Sequence, residues 1–283
     1  MPDISFVTTC KGRLDHLRQT LPRMAAQPNA ECIVVDYDCP DGTADWVQTN
    51  YPAVKVVRVA RAPIFHKPAA HNLGAAIASA PWLCLIDADI LVSELFSAFI
   101  ARTMESGCYL RPSPIDFGAY GSFVCARKDF EAVEGFDEAF EGCGYSDDDL
   151  YVRLGMAGVR AASFPGEHFA AIPHDHESRT RYYEIRDRPL NHRINFFYAN
   201  IKHDLMRQAG GGNIPLASRR AIYGEVRRVV LAQAVNGNAG AKLEVSLPVS
   251  SSVPRRYEWE VHRKWVFSLA KILPPAPASG DAT

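Results

Sequence analysis

An α/β fold, with a mostly parallel central sheet flanked by helices, is predicted by three features of the first 105 residues. Short runs rich in β-forming residues recur at 4–8, 32–36, 54–59 and 82–86. The segments between them have helical character, with Leu17, Leu21 and Met24 on one face of 15–26. The run Trp82-Leu-Cys-Leu-Ile86 is continuously apolar, as in a strand buried on both faces. Strand and helix alternating in this way make a parallel sheet.

In order, 4–8 is the first strand and 15–26 the first helix. Strand 32–36 ends at the turn Pro40-Asp41-Gly42, and 43–49 suits a short helix. Strand 54–59 leads to an Ala-rich helix over 68–80, closed by Pro81 before the fourth strand. Residues 93–104 read as another helix and 122–126 as a strand. The Gly- and acid-rich stretch 135–144 is a loop, and 147–156 is a helix whose acidic first turn suits the helix dipole. Residues 182–204 and 218–235 look helical, with breaks at 210–212 and 235–241. Residues 257–273 place Trp259, Trp265, Leu269 and Leu273 on one side and basic residues around them. This is read as a helix that packs on the fold or, being basic and amphipathic, permits attachment to an anionic membrane surface. The Pro/Ala/Ser/Gly stretch from 274 is expected to be disordered.

A formal charge of −1 argues against nucleic acid as a partner, and no apolar run is long enough to cross a bilayer. The start, Met1-Pro2-Asp3, lacks the basic region of a secretory leader, so a cytoplasmic protein is expected. The 7 cysteines form no CxxC pair, which leaves them as buried, reduced thiols. The sequence does not indicate an oligomeric state.

Ligands of such sheets bind outside the carboxyl ends of the strands. Thr8, Thr9, Asp36, Asp38, Asp87 and Asp89 should therefore converge on one rim. Asp87-Ala88-Asp89 follows a buried strand, and residues i and i+2 of an extended chain point the same way. Both could serve one hard divalent cation that also holds substrate phosphates. Asp36 could accept from a nucleobase or ribose, or simply close an Asx turn. Lys67 could face a diphosphate, and Asn72 could hold a base or a carboxylate. In Asp147-Asp148-Asp149 three carboxylates must be offset, and Arg153, four residues beyond Asp149, suits an internal ion pair with it. His174 and His176 alternate, so one of them could complete a metal site for an ion such as manganese.

Taken together, these features resemble a family 2-type glycosyltransferase of the GT-A (Rossmann-like) fold, over residues 4–179. The resemblance rests on Thr8-Thr9 with Arg13, Asp36, Ala70-His-Asn72-Leu-Gly74, Asp87-Ala-Asp89 and Asp147-Asp-Asp149-Leu150. Residues 121–154 look closer to the β-1,4-galactosyltransferases and the GalNAc-transferring part of chondroitin polymerases. There the family motif Trp-Gly-Gly-Glu-Asp is followed by an acidic residue and Arg-Leu. Here Cys143, Tyr145 and Ser146 replace its Trp, second Gly and Glu, while its base falls on Asp147.

The resemblance implies a catalytic domain over 1–180, with a nucleotide-binding half to about 105 and an acceptor half beyond. A helical extension over 181–273 and the tail 274–283 complete the chain. It implies inverting transfer of a Gal-, GalNAc- or Glc-type sugar from a UDP-sugar to a glycan or other hydroxyl. Asp147 would be the base. Thr8, Thr9, Arg13, Asp36, Lys67, Asn72, Asp87, Gly121 and Asp148 would bind substrate, and Asp89 with His174 or His176 would bind Mn2+ or Mg2+. The alternatives are a nucleotide- or glycan-binding relative that has lost transfer, for which Ser146 speaks, and a sugar nucleotidyltransferase. Thr8-Thr-Cys-Lys-Gly-Arg13 is a poor version of the phosphate loop that the last would carry.

Overall fold

The computed structural model describes residues 2–115, 117–173, 179–235, 242–249 and 261–268. Strands β1 (Ile4–Cys10), β2 (Ala30–Tyr37), β3 (Lys55–Val59) and β4 (Trp82–Leu85) form where the apolar runs stand. Helices α1 (Leu14–Ala25), α2 (Thr43–Asn50) and α3 (Lys67–Ala76) connect them. Leu17, Leu21 and Met24 of α1 bury against Phe6 and Val34 on one face of the sheet. Val7 and Ile33 point to the other face, where α3 lies close. That approach depends on Gly74, since a Cβ there would fall 2.3 Å from Val7 Cγ1.

The chain continues through β5 (Ile90–Val92), α4 (Phe96–Thr103), β6 (Cys108–Ser113), β7 (Phe123–Ala126) and α5 (Arg127–Ala132). Then follow α6 (Ser146–Met156), β8 (Arg160–Pro165) and β9 (Phe169–Ala171). The central sheet has the order β3-β2-β1-β4-β7-β6-β8. Strand β1 is parallel to β2 and β4, β2 to β3, and β6 to β8. Only β7 runs antiparallel to its neighbours β4 and β6. The mostly parallel sheet expected from the sequence is present, and its switch point lies beside β1 and β4, where ligands of such sheets bind.

Helices α7 (Arg188–Gln208) and α8 (Leu216–Val235) pack on each other and on Phe140 through Ile194, Tyr198, Ile201, Tyr223 and Val226. The helix expected over 257–273 is corrected where it is described. Val261–Phe267 is strand β11, antiparallel to β10 (Leu243–Val249). Trp265 and Phe267 alternate onto the α7–α8 core, and Trp265 Nε1 donates to Asp204 at 2.9 Å. Membrane attachment by an amphipathic helix therefore loses its basis in 261–267. The rest of 255–273 and the tail 274–283 lie outside the described residues. Among the described residues no helix is long and apolar enough to cross a membrane.

Candidate active site

The ends of β1 and β4 and the starts of α3 and α6 meet at one cleft, lined among others by Thr9, Arg13, Lys67, Asp87, Asp89 and Asp147. Strand β4 stops at Leu85, and Asp87–Ile90 forms a turn in which Ile90 N–H donates to the Asp87 carbonyl. Contrary to the extended chain expected, the Asp-x-Asp pair sits on a turn that sends its acids to different cations. Lys67 Nζ stands 3.1 Å from Asp87 Oδ1, and Arg13 stands 3.7 Å from Asp89 Oδ2.

Lys67 also reaches Asp147, 3.3 Å from Oδ1, and so bridges two acids that are 60 residues apart in the sequence. Burial opposes its charge, but Asp147 and Asp87 outweigh burial and hold its pKa above the usual lysine value. Asp87 likewise stays below the ordinary carboxylate range, because Lys67 overcomes its burial. Asp147 goes the other way. Burial raises its pKa, and the nearby Asp87 charge adds to that against the pull of Lys67. Behind Asp87, burial and the Lys67 charge hold the His71 ring down at about 3, so its imidazole is neutral.

The three neighbouring acids of α6 face three surroundings, as about 100° of helical turn per residue dictates. Asp147 faces the cleft. Asp148 accepts from the Tyr120 hydroxyl, beside a ring that Arg111 covers at 4.5 Å. Asp149 is wholly buried and pairs with Arg153 at 2.8 Å, the internal pair expected from the spacing. It also pairs with Lys202, and with His203 at 2.7 Å, both from α7.

Other expected binding residues are occupied elsewhere. Asp36 accepts from the backbone N–H of Cys39 and of Ala44, both at 2.7 Å, so it holds a turn and the start of α2. It does not line the cleft. Asn72 clamps the 135–138 loop by a bond in each direction to the Phe136 backbone, both 2.9 Å. Thr8 is buried one residue below the cleft, while Thr9 reaches it. Gly121 lies directly under the ion pair, where a Cβ would stand 2.7 Å from Lys67 Nζ and 2.9 Å from Asp147 Oδ2. His174 and His176 lie outside the described residues.

The structure adds cleft residues that the sequence reading passed over: Lys11, Arg179, Tyr182 and Tyr183. Lys11 donates to the carbonyls of Tyr37, Asp38 and Ala62 at 2.8–3.1 Å, pinning the rim rather than facing a ligand. Arg179-Thr-Arg-Tyr-Tyr183 was a visible signal, since two arginines and two tyrosines cluster there at the start of the segment read as a helix from 182.

Comparison with known proteins agrees with this arrangement. Residues 5–107 match the family model described as glycosyl transferase family 2, and residues 98–176 match that of the N-terminal domain of galactosyltransferase. Over these two stretches the chain resembles the family 2-type GT-A glycosyltransferases. Over 123 residues, 42% of its length, the chain is 28% identical to beta-1,4-galactosyltransferase 5 of Danio rerio, and it spans 29% of that protein. Among solved structures it is similar to the mannosyltransferase PcManGT of Pyrobaculum calidifontis in complex with GDP-Man and Mn2+. There the TM-score is 0.52 at 17% identity, over 85% of this chain and 76% of that one. Residues 1–349 of S. aureus TarS in complex with UDP-GlcNAc give a TM-score of 0.55 at 13% identity, over 81% and 72%. These two likenesses show the shared fold.

A divalent cation is the group that this fold implies for the cleft. Asp87 and Asp89 offer the hard carboxylate oxygens that Mg2+ or Mn2+ takes. Among the described residues no group of three metal-binding side chains forms, and the two histidines expected as further ligands are outside them. The acids fit such an ion as a partial ligand set, which the donor's phosphates and water would complete.

Proposed function

We propose that this glycosyltransferase moves a sugar from a UDP-sugar to an acceptor hydroxyl by a single displacement that inverts the anomeric centre. The observation that carries the reading is Asp147. It stands at the start of α6, in the same cleft as Asp87 and Asp89, and burial makes it a stronger base than an exposed aspartate. Asp147 takes the proton of the acceptor hydroxyl as that oxygen attacks. A single base opposite the leaving group gives inversion, by analogy with inverting carboxylate chemistry. Lys67 and Arg13 are placed to meet the donor's phosphate charge at the end of β1 and the start of α3. Asp89, with Asp87 and a histidine of the 174–176 segment, would hold the cation. When bound, that cation would stabilise charge on the departing diphosphate. UDP as the donor nucleotide is supported by the family match and by the UDP-GlcNAc bound to S. aureus TarS.

The test is Asp147→Asn. Transfer should fall by about 10²–10⁴-fold while donor binding, read by calorimetry, stays within a few-fold. Full turnover in the variant would exclude Asp147 as the base, and turnover unchanged by EDTA would exclude the cation.

A further inference from the structure

Two of the seven cysteines depart from the inert core thiols expected of them. Cys10 is the buried last residue of β1, and Cys39 is half-buried in the loop after β2. Their sulfurs are 4.0 Å apart. The Thr43 hydroxyl sits between them, donating to Cys39 Sγ at 3.1 Å and lying 3.2 Å from Cys10 Sγ. The Gly12 backbone N–H donates to Cys39 Sγ at 3.1 Å as well. One sulfur thus collects several donors, which favours thiolate over thiol. The hydrogen bond from Cys10 foremost, with Thr43 and two backbone N–H groups, holds Cys39 at about 6 against its burial. The same contact, with burial, keeps Cys10 protonated. Four other thiols differ. Burial pushes Cys32 up to about 12, and it raises Cys84, Cys125 and the half-buried Cys143 above the ordinary value.

We propose that Cys39 and Cys10 are a reactive thiol pair, a modification site at which a hydroperoxide is reduced and the two sulfurs close into a disulfide. The Cys39 thiolate attacks one peroxide oxygen. The O–O bond breaks, the departing alkoxide or hydroxide takes a proton from solvent, and Cys39 becomes a sulfenic acid. Cys10 sulfur then attacks the Cys39 sulfur. The Cys10 proton and the expelled hydroxide leave as water, and the S–S bond forms. The two thiols give up two electrons, and the peroxide ends as an alcohol or water. The sulfurs must close from 4.0 Å to bonding distance, a shift of about 2 Å. The bond would fasten the end of β1 to the loop after β2. Lys11 and Gly12 lie there, immediately before the Arg13 that faces Asp89.

The test uses the reduced full-length chain and needs no sugar donor, so its failure is distinct from failure of the transferase reading. Limiting iodoacetamide at pH 7, followed by peptide mass spectrometry, should label Cys39 at least tenfold faster than Cys143. One equivalent of hydrogen peroxide should yield a Cys10–Cys39 linked peptide that dithiothreitol removes. In Cys10→Ser the same treatment with dimedone should instead place the dimedone adduct on Cys39. Labelling of Cys39 no faster than of Cys143, or thiol loss in the wild-type chain without the Cys10–Cys39 peptide, would overturn the proposal.

Discussion

Replacing Lys202 by Met should destabilise the protein by about 3 kcal/mol or more. The reason lies in the buried charges that this side chain joins. Lys202 is wholly buried, and its ammonium bonds to Asp137 at 2.6 Å and to Asp149, both buried. Asp137 also holds the Tyr198 hydroxyl at 2.6 Å and Arg219 at 3.1 Å, and Asp149 holds Arg153 and His203. The two acids keep partners in the variant, but one positive charge is lost from a fully buried cluster. Breaking a buried pair by removing one partner costs about 3–5 kcal/mol, and the remaining partners place this case near the lower end. For a chain of this size each kcal/mol shifts the melting temperature by roughly 2–3 °C, so a fall of about 6–9 °C is expected. The pH dependence has a definite sign. Lys202 and Arg153 hold Asp137 and Asp149 below the ordinary aspartate value of 3.8. Their contribution is present above that pH and is lost as pH falls through the lowered values. Thermal melts of wild type and variant at pH 7, with urea titrations at pH 7 and at about pH 2, measure both. A variant melting within about 2 °C of wild type at pH 7 would refute the view that this ion set holds α7 to α6.

Further outcomes are expected at the cleft. Lys67→Met removes the charge that lowers the pKa of Asp147. The acid limb of the kcat/KM profile should therefore move to higher pH, where the base is otherwise ionised, and an unmoved limb would deny the pair. Gly121→Ala puts a methyl against Lys67 and Asp147. It should cost more than tenfold in kcat/KM, because a displacement of about 1 Å can cost 10²-fold, with little change in melting temperature. A fragment ending near residue 180 leaves Asp137 and Asp149 without Lys202, His203 and Arg219. It should show no cooperative melt by calorimetry.

The nucleotide-side half of the fold was legible because its strands and helices bury one regular pattern each. Leu17, Leu21 and Met24 announce α1, and the unbroken run at 82–86 announces β4. Strand β8 was not legible, since Arg160-Ala-Ala-Ser163 is exposed and its only fully buried side chain is Phe164. The β11 strand was misread for a related reason. Its inward positions are Arg263, Trp265 and Phe267, and an arginine whose stem packs inward while its head meets Gln208 does not register as apolar. At the site, Asp87, Asp89 and the Asp149–Arg153 pair could be read from spacing, and Asp147 from the resemblance. The turn that Asp36 closes was one of the two readings open for it, whereas the clamp of Asn72 on the Phe136 backbone could not be read, because no side-chain pattern encodes the path of that loop.

The triple acid of α6 has a consequence for how this protein can vary. Its three carboxylates are chemically alike, and only angular phase around the helix assigns them to solvent-side chemistry, to a tyrosine, or to the interior. Adding or deleting one residue inside the first turn would leave the acidic string recognisable yet advance it by about 100°. The wrong acid would then face the cleft, and Lys67 would keep Asp87 but lose its second carboxylate partner. Length changes should accordingly be tolerated in the exposed connections on the far side of the sheet and rejected at this one junction, however faithfully the letters are kept.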